Sequence, residues 1–133
     1  MKHRSERGQS LVETAFVLPV LLLLLFGIFD FGRAVYAYNI LANSAREATR
    51  LAIVDQNLSS ITAEAHETSI GLDPASVNVT FATCPAPVKI GCPATVTLEY
   101  QWTAITPIIG SIVGQIDLAS TAEMPIERVY VSP

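Results

Sequence analysis

Residues 15–29, AFVLPVLLLLLFGIF, form the most apolar run in the chain, and the fold prediction starts from them. With its flanks the run covers about residues 11–31, interrupted only by Glu13, Thr14 and Asp30. That length matches the ~20 helical residues that cross a ~30 Å hydrocarbon core. A buried core helix is the weaker alternative, because the rest of a 133-residue chain is too short to cover so apolar a helix. We therefore predict a transmembrane segment at about residues 11–31.

The charges on the two sides of this segment differ in sign. Residues 1–8, a basic leader, hold three of the eight Lys and Arg residues and one of the twelve Asp and Glu residues. The remainder carries a formal net charge of −6. By the positive-inside rule, we expect a single-pass protein of the inner (cytoplasmic) membrane, with a cytoplasmic N-terminus and an extracytoplasmic C-terminal domain. An acidic outer domain also argues against nucleic acid as a partner.

A basic flank before an apolar run also fits a secretory signal that is removed. However, no small-x-small cleavage site follows Phe29, and the sequence continues in helical period as DFGRAVYAYN. Apolar and small residues recur there at steps of three and four: Phe31, Val35, Tyr38, Ala42, Ala45, Thr49 and Ala52. This pattern predicts one long helix over residues 9–54 that keeps the apolar segment.

Residues 55–133 predict a small extracytoplasmic α+β domain. SSITAEAHETSI indicates a short helix ending at Gly71, and TPIIGSIVG indicates about one helical turn. Three strands are expected in SVNVTFAT, ATVTLEYQW and IDLASTAEMPIERVYV, the last ending near Pro125. The economical architecture is a meander of three antiparallel strands packed against the long helix.

Glu13 is the residue with the clearest chemical interest. A carboxylate at the centre of a membrane helix costs ~2.5–3.5 kcal/mol on insertion scales, and less near the end of the span. Glu13 is therefore either an interfacial acid that reaches water or a charge with a cationic partner. Cleavage between Gly8 and Gln9 would create an amine four residues before Glu13, and the amine of a neighbouring subunit could neutralise it.

Residues 7–13, RGQSLVE, resemble the class III signal of type IV prepilins, in which a basic leader ends in Gly and Glu is the fifth residue after the cut. Residues 7–52, which end in SAREATRLA, resemble the TadE-like family of the tight-adherence (Flp) pilus system, and ATVTLEYQW, TPIIG and LASTAEMPIE fit as well. The departure is Thr14, where many prepilins carry Phe or Tyr.

The resemblance implies a pilin-like fold and cleavage after Gly8 by a membrane prepilin peptidase. It also implies a non-enzymatic role as a minor pilin or pseudopilin of a Flp-type pilus. The expected partners are the membrane, the peptidase, other pilin-type subunits and the pilus assembly platform. Incorporation into a surface pilus is a further expectation.

Polar and aromatic residues follow the span. Asp30 and Arg33 lie one helical turn apart at the predicted outer boundary, where they either anchor the helix or contact another subunit. Tyr36 and Tyr38 suit the aromatic belt just outside the bilayer.

A charged group lies further along the same helix. It consists of Arg46, Glu47 and Arg50. These residues form either a solvated face or, by their match to the family pattern, a subunit contact.

Cys84 and Cys92 are the only cysteines, and an extracytoplasmic location favours a disulfide between them. A metal site would need two more ligands, for which His3 and His66 are poor candidates, so we expect no metal or other cofactor.

The sequence gives no support for catalysis. It contains no GxSxG, phosphate loop or HExxH motif, so we expect neither an enzyme nor a small-molecule substrate. The alternative to a processed pilin-type subunit is an uncleaved, membrane-anchored binding domain.

Overall fold

The computed structural model describes residues 4–129. Residues 1–3 of the leader, with His3, and residues 130–133, the end of the predicted last strand, lie outside this range. The elements are, in order, helix α1 (Arg4–Ala52), helix α2 (Leu58–Thr68), a 3₁₀ turn (Pro74–Ser76), strands β1 (Val77–Ala82) and β2 (Pro93–Thr103), helix α3 (Pro107–Val113) and strand β3 (Gln115–Pro125). The predicted α+β class, with a long helix and a three-stranded antiparallel sheet, is confirmed.

Helix α1 is one continuous element of 49 residues, about 74 Å long at 1.5 Å per residue. It begins before the predicted start at residue 9, so no break in the helix marks the Gly8–Gln9 junction. Its most apolar 18-residue window has a mean hydropathy of 2.5, and none of that window is buried within the molecule. By length and composition, α1 is the one described helix that could cross a membrane.

The sheet has the order β1-β2-β3 and is antiparallel throughout. Val79 pairs with Leu98, and Leu98 pairs with Ser120 on the other side. The predicted alternation along β2 is observed, because Val96, Leu98 and Trp102 are buried and the intervening residues are more exposed. This face of the sheet packs against α1, with the core between them.

The face of α1 that packs on the domain matches the predicted stripe at Ala45, Thr49 and Ala52, which are buried, and differs from it nearer the membrane. Phe31, Val35 and Tyr38 were expected to face the core, but they are 71%, 43% and 49% exposed. The buried positions start one residue earlier and are mostly small: Asp30, Ala37, Leu41, Ser44, Ala45, Ala48, Thr49 and Ala52. Small side chains let the sheet approach the helix backbone, whereas hydrophobicity alone does not tell a core face from a lipid face in such a helix.

Helix α2 packs on α1 through Ile61 and Ala65. Asn57 caps its N-terminus, since the Asn57 side chain accepts a hydrogen bond of 3.0 Å from the Ser59 N–H. The helix ends at Thr68 rather than at the predicted Gly71, and Ser69 is its C-cap. The Ser69 N–H and hydroxyl both donate to the Ala65 carbonyl. The chain then turns.

The domain is attached to α1 at two levels. The Glu127 and Arg128 N–H groups donate to the Ile53 carbonyl at 3.0 and 3.1 Å, just past the end of α1. The other attachment is at Asp30, 23 residues earlier, or about 35 Å along the helix. Strands β2 and β3 have 11 residues each, about 36 Å, so the sheet has the length needed to join both levels.

Candidate assembly and membrane-boundary sites

The predicted cleavage and assembly residues lie in the first turns of α1. Gly8, Gln9 and Glu13 are all exposed. Gln9 and Glu13 are four residues apart and therefore lie on one helix face. Thr14, which departs from the prepilin pattern, donates from its hydroxyl to the Ser10 carbonyl at 2.9 Å, so its polar group is satisfied within the helix. The helix thus presents Glu13 outward, among apolar side chains.

Asp30 joins two distant parts of the chain. Its carboxylate is buried and accepts hydrogen bonds from the Ile105 N–H (3.0 Å) and the Thr106 N–H (3.1 Å) in the loop between β2 and α3. The Arg33 guanidinium also lies 3.5 Å from the Asp30 carboxylate. Hydrogen bonds to charged groups contribute about 1.5–3 kcal/mol each, against a few tenths for an exposed i,i+3 pair. Asp30 therefore acts chiefly on the loop.

Arg33 covers the only tryptophan of the chain. Its guanidinium carbon lies 6.0 Å from the ring centroid of Trp102, at the outer limit of a cation–π contact. Trp102 is buried, and the Arg33 side chain is about half exposed. The sequence placed Trp102 on a strand face but not at the boundary, although a lone Trp at a strand end is a residue typical of membrane interfaces.

Tyr36 and Tyr38 are both largely exposed. They lie five and seven residues beyond Phe31, or about 8 and 10 Å along the axis. A Cβ added at Gly71, which has a φ of +87°, would lie 3.5 Å from the Tyr36 hydroxyl oxygen, so the turn after α2 passes close to this ring. The position of both tyrosines is compatible with the predicted aromatic belt.

The position of helix α3 in the fold was not predicted from the sequence. The helix was expected as one turn without a location, and it lies against the apolar part of α1. A Cβ added at Gly27 would be 3.5 Å from Cδ1 of Ile109. The available signal was the lack of charge over residues 100–116.

The charged group near the end of α1 consists of exposed residues. Arg50 contacts Glu47 at 3.1 Å, with 67% and 47% of the two side chains exposed, and Arg46 is exposed beside them. An exposed pair of this kind contributes only tenths of a kcal/mol, about 0.3–0.5 at helical spacing. These residues are free to face solvent or another subunit.

Cys84 and Cys92 form a disulfide, with a Cα–Cα distance of 5.8 Å. The loop that it closes is tied to the segment after β3, because the Gly91 N–H donates to the Ile126 carbonyl and the Ile126 N–H to the Cys92 carbonyl.

His66 has a structural contact. Its Nε2 lies 3.2 Å from the Val77 carbonyl oxygen and links α2 to β1. Within residues 4–129, no three His, Cys, Asp or Glu side chains are grouped as a metal site.

Comparison with known proteins gives one finding. The model of the TadE-like protein family matches residues 8–50, which include the predicted cleavage junction, Glu13, the apolar run and the exposed charged group. The resemblance of α1 to this family is confirmed, and the match does not extend to the C-terminal segments that were expected to fit. Searches of curated proteins and of solved structures each gave no match.

Proposed function

From the TadE-like segment at residues 8–50, we propose that this chain is a non-enzymatic minor pilin or pseudopilin of a tight-adherence (Flp) pilus system. The prepilin peptidase cleaves it after Gly8, and it assembles with other pilin-type subunits on the pilus platform through α1. It is held in the inner membrane by one pass, with its N-terminus in the cytoplasm and its α+β domain outside.

The observation that carries the proposal is an unpartnered apolar helix that contains one exposed acid near its N-terminus. Large apolar side chains from Leu11 to Phe31 are between 39% and 76% exposed, so the part of the chain that the structure describes leaves most of this surface uncovered. A surface of this kind needs lipid or other helices around it. Glu13 is the exposed acid on this surface, five residues after Gly8.

Cleavage at the proposed junction is compatible with the helix. Peptide bonds near a helix terminus open at little cost, because the terminal turns fray. Gly8 helps, since glycine is less favourable than alanine in a helix by about 1 kcal/mol. The peptidase therefore has access to the Gly8–Gln9 bond after local unwinding.

Glu13 would act in assembly rather than in folding. In a lone subunit near the membrane edge, a carboxylate reaches interfacial water or takes up a proton. Between packed helices both routes narrow, and an unpaired charge becomes costly. The new amine of Gln9 on an adjacent subunit would neutralise Glu13 and fix the axial register between subunits.

The experiment measures processing, membrane insertion and co-assembly separately in the native host. Intact mass should show a mature chain that starts at Gln9. Glu13→Leu should insert as well as the wild type and keep a folded outer domain, but should fail to enter pili or subunit complexes. Glu13→Asp should be intermediate, because it keeps the charge and withdraws it by one methylene.

Two outcomes would contradict the proposal. An N-terminus at Met1 or Lys2 would favour the uncleaved, membrane-anchored binding domain. Normal co-assembly of Glu13→Leu would remove the chemical reason for a pilin-type mechanism. Glu67→Leu serves as the control, since it removes an exposed acid outside the span and outside the charged group of α1.

A further inference from the structure

The segment that contains α3 carries no charged side chain of its own and lies on the membrane-proximal side of the domain. Residues 100–116 contain no acidic or basic side chain. Five apolar side chains in this stretch are exposed: Ile105 (69%), Ile108 (53%), Ile112 (78%), Val113 (47%) and Ile116 (37%). Exposed isoleucines this close together are unusual on a surface that faces only water.

The height of α3 along α1 is fixed by two contacts. Asp30 binds the Ile105 and Thr106 N–H groups just before α3, and Gly27 lies against Ile109. Gly27 is four residues inside Phe31, or about 6 Å below the predicted outer end of the span. Amphipathic elements that lie in a membrane interface bury their apolar side about 5–10 Å deep. Helix α3 is therefore at the depth of the outer leaflet.

Several polar groups of this segment are satisfied within the protein. The Asp30 carboxylate accepts from the two N–H groups at the entry to α3. The Ser111 hydroxyl donates to the Ile108 carbonyl at 2.8 Å, and the Gly114 N–H donates to the Gly110 carbonyl at 2.9 Å. Each such bond lowers the cost of placing the segment against lipid.

We propose that α3 and Ile105 insert into the outer leaflet beside the span and give the domain a second, non-spanning membrane contact. The inference rests on the proposed membrane span of α1. Its occupant is lipid, because the α3 surface is continuous with the exposed apolar surface of α1 at Gly27 and carries no charge to select a protein partner. The contact would fix the tilt of the domain above the bilayer.

The test uses the full chain in liposomes at a high lipid-to-protein ratio. Single cysteines carry an environment-sensitive fluorophore at Ile112→Cys in α3, Leu24→Cys in the span and Ile90→Cys in the disulfide loop. The native cysteines are paired and do not react under non-reducing conditions. Ile90 is the matched control, because it is 72% exposed, against 78% for Ile112, and lies at the opposite end of the sheet.

We expect the label at 112 to be quenched by lipids that carry a quencher near the headgroup, and to be several-fold less sensitive to aqueous iodide than the label at 90. Ile108→Cys gives a second report from α3. Iodide sensitivity at 112 and 108 equal to that at 90, with the label at 24 in lipid, would overturn the inference and leave the span standing. A label at 24 that is open to iodide would overturn both.

Protection at 112 that appears only when the protein is concentrated in the bilayer would assign the surface to a second subunit. That result would also overturn the inference.

Discussion

At the scale of single residues, the carboxylate of Asp30 connects α1 to a loop that lies 75 residues further along the chain. It is buried at the point where the apolar helix meets the outer domain, and it holds the loop before α3 through two backbone N–H groups. The sequence identified Asp30 as a boundary residue with Arg33 as its neighbour. It could not identify the loop, since Ile105 and Thr106 are 75 and 76 residues away and backbone donors leave no sequence signal.

Asp30→Ala should lower the free energy of unfolding of the outer domain by about 2–4 kcal/mol, because two partly buried N–H groups lose a charged acceptor. Asp30→Asn should cost less, since its amide oxygen still accepts one hydrogen bond. Denaturant unfolding in detergent, followed by the fluorescence of Trp102, measures the loss. Asp117→Ala is the control, because Asp117 is an exposed acid on β3. Equal effects at residues 30 and 117 would show that the two hydrogen bonds do not stabilise the domain.

At the scale of elements, period and composition predict which segments are helices and strands better than they predict which faces meet. The strands were predictable because Val96, Leu98 and Trp102 alternate with polar residues on a sheet with one buried face. The buried face of α1 was predicted only over its last turns, because Phe31, Val35 and Tyr38 continue the same apolar stripe but are exposed. Only close packing of the domain, which requires small residues on α1, determines which positions of the helix are buried.

Ala48→Leu tests the requirement for small residues. Ala48 is fully buried between α1 and the rest of the domain, so the added atoms should displace the sheet and cost about 1–3 kcal/mol of stability. Asn43→Leu places the same leucine side chain on the exposed side of the helix and should change stability by less than about 0.5 kcal/mol. Thermal unfolding of the two variants, compared with the wild type, distinguishes them. Wild-type stability in Ala48→Leu would mean that the interface is not closely packed.

The loop between β1 and β2 gives a separate prediction. Replacing Cys84 and Cys92 with Ser should lower the free energy of unfolding by about 2.5 kcal/mol, the loop-entropy value for closing nine residues. Membrane insertion should be unchanged, because the loop is at the end of the sheet that is remote from the span. Unfolding measurements on both proteins, with a thiol assay of the unreduced wild type, check this. Two free thiols in the wild type would contradict the bond.

At the scale of the whole molecule, the length of the sheet and the length of the outer part of α1 agree. The domain is attached at Asp30 and again just past Ala52, at the Ile53 carbonyl, so it runs along the helix instead of standing on its tip. The sequence predicted the two parts and their order. It did not predict the two attachments, because both involve backbone groups that any residue could supply.

A continuous helix with a domain fixed along one side also fixes the direction of the domain around the helix axis, relative to Glu13. An α-helix turns about 100° per residue, so the 17 residues from Glu13 to Asp30 leave Glu13 about 100° around the axis from the side that the domain occupies. One extra Leu within the run of five leucines at residues 21–25 does not change the chemical character of the span. It would rotate the domain by about 100° relative to Glu13 and lengthen the helix by only about 1.5 Å. Four extra leucines would rotate the domain by about 40° and lengthen the helix by about 6 Å. If subunits assemble through α1, the single insertion should reduce incorporation into pili more than the fourfold insertion. The reverse order would mean that the distance between Glu13 and the domain matters more than the direction of the domain around the helix axis. Helix α1 would thus set both the distance of the domain from the membrane and the direction that the domain faces when Glu13 contacts an adjacent subunit.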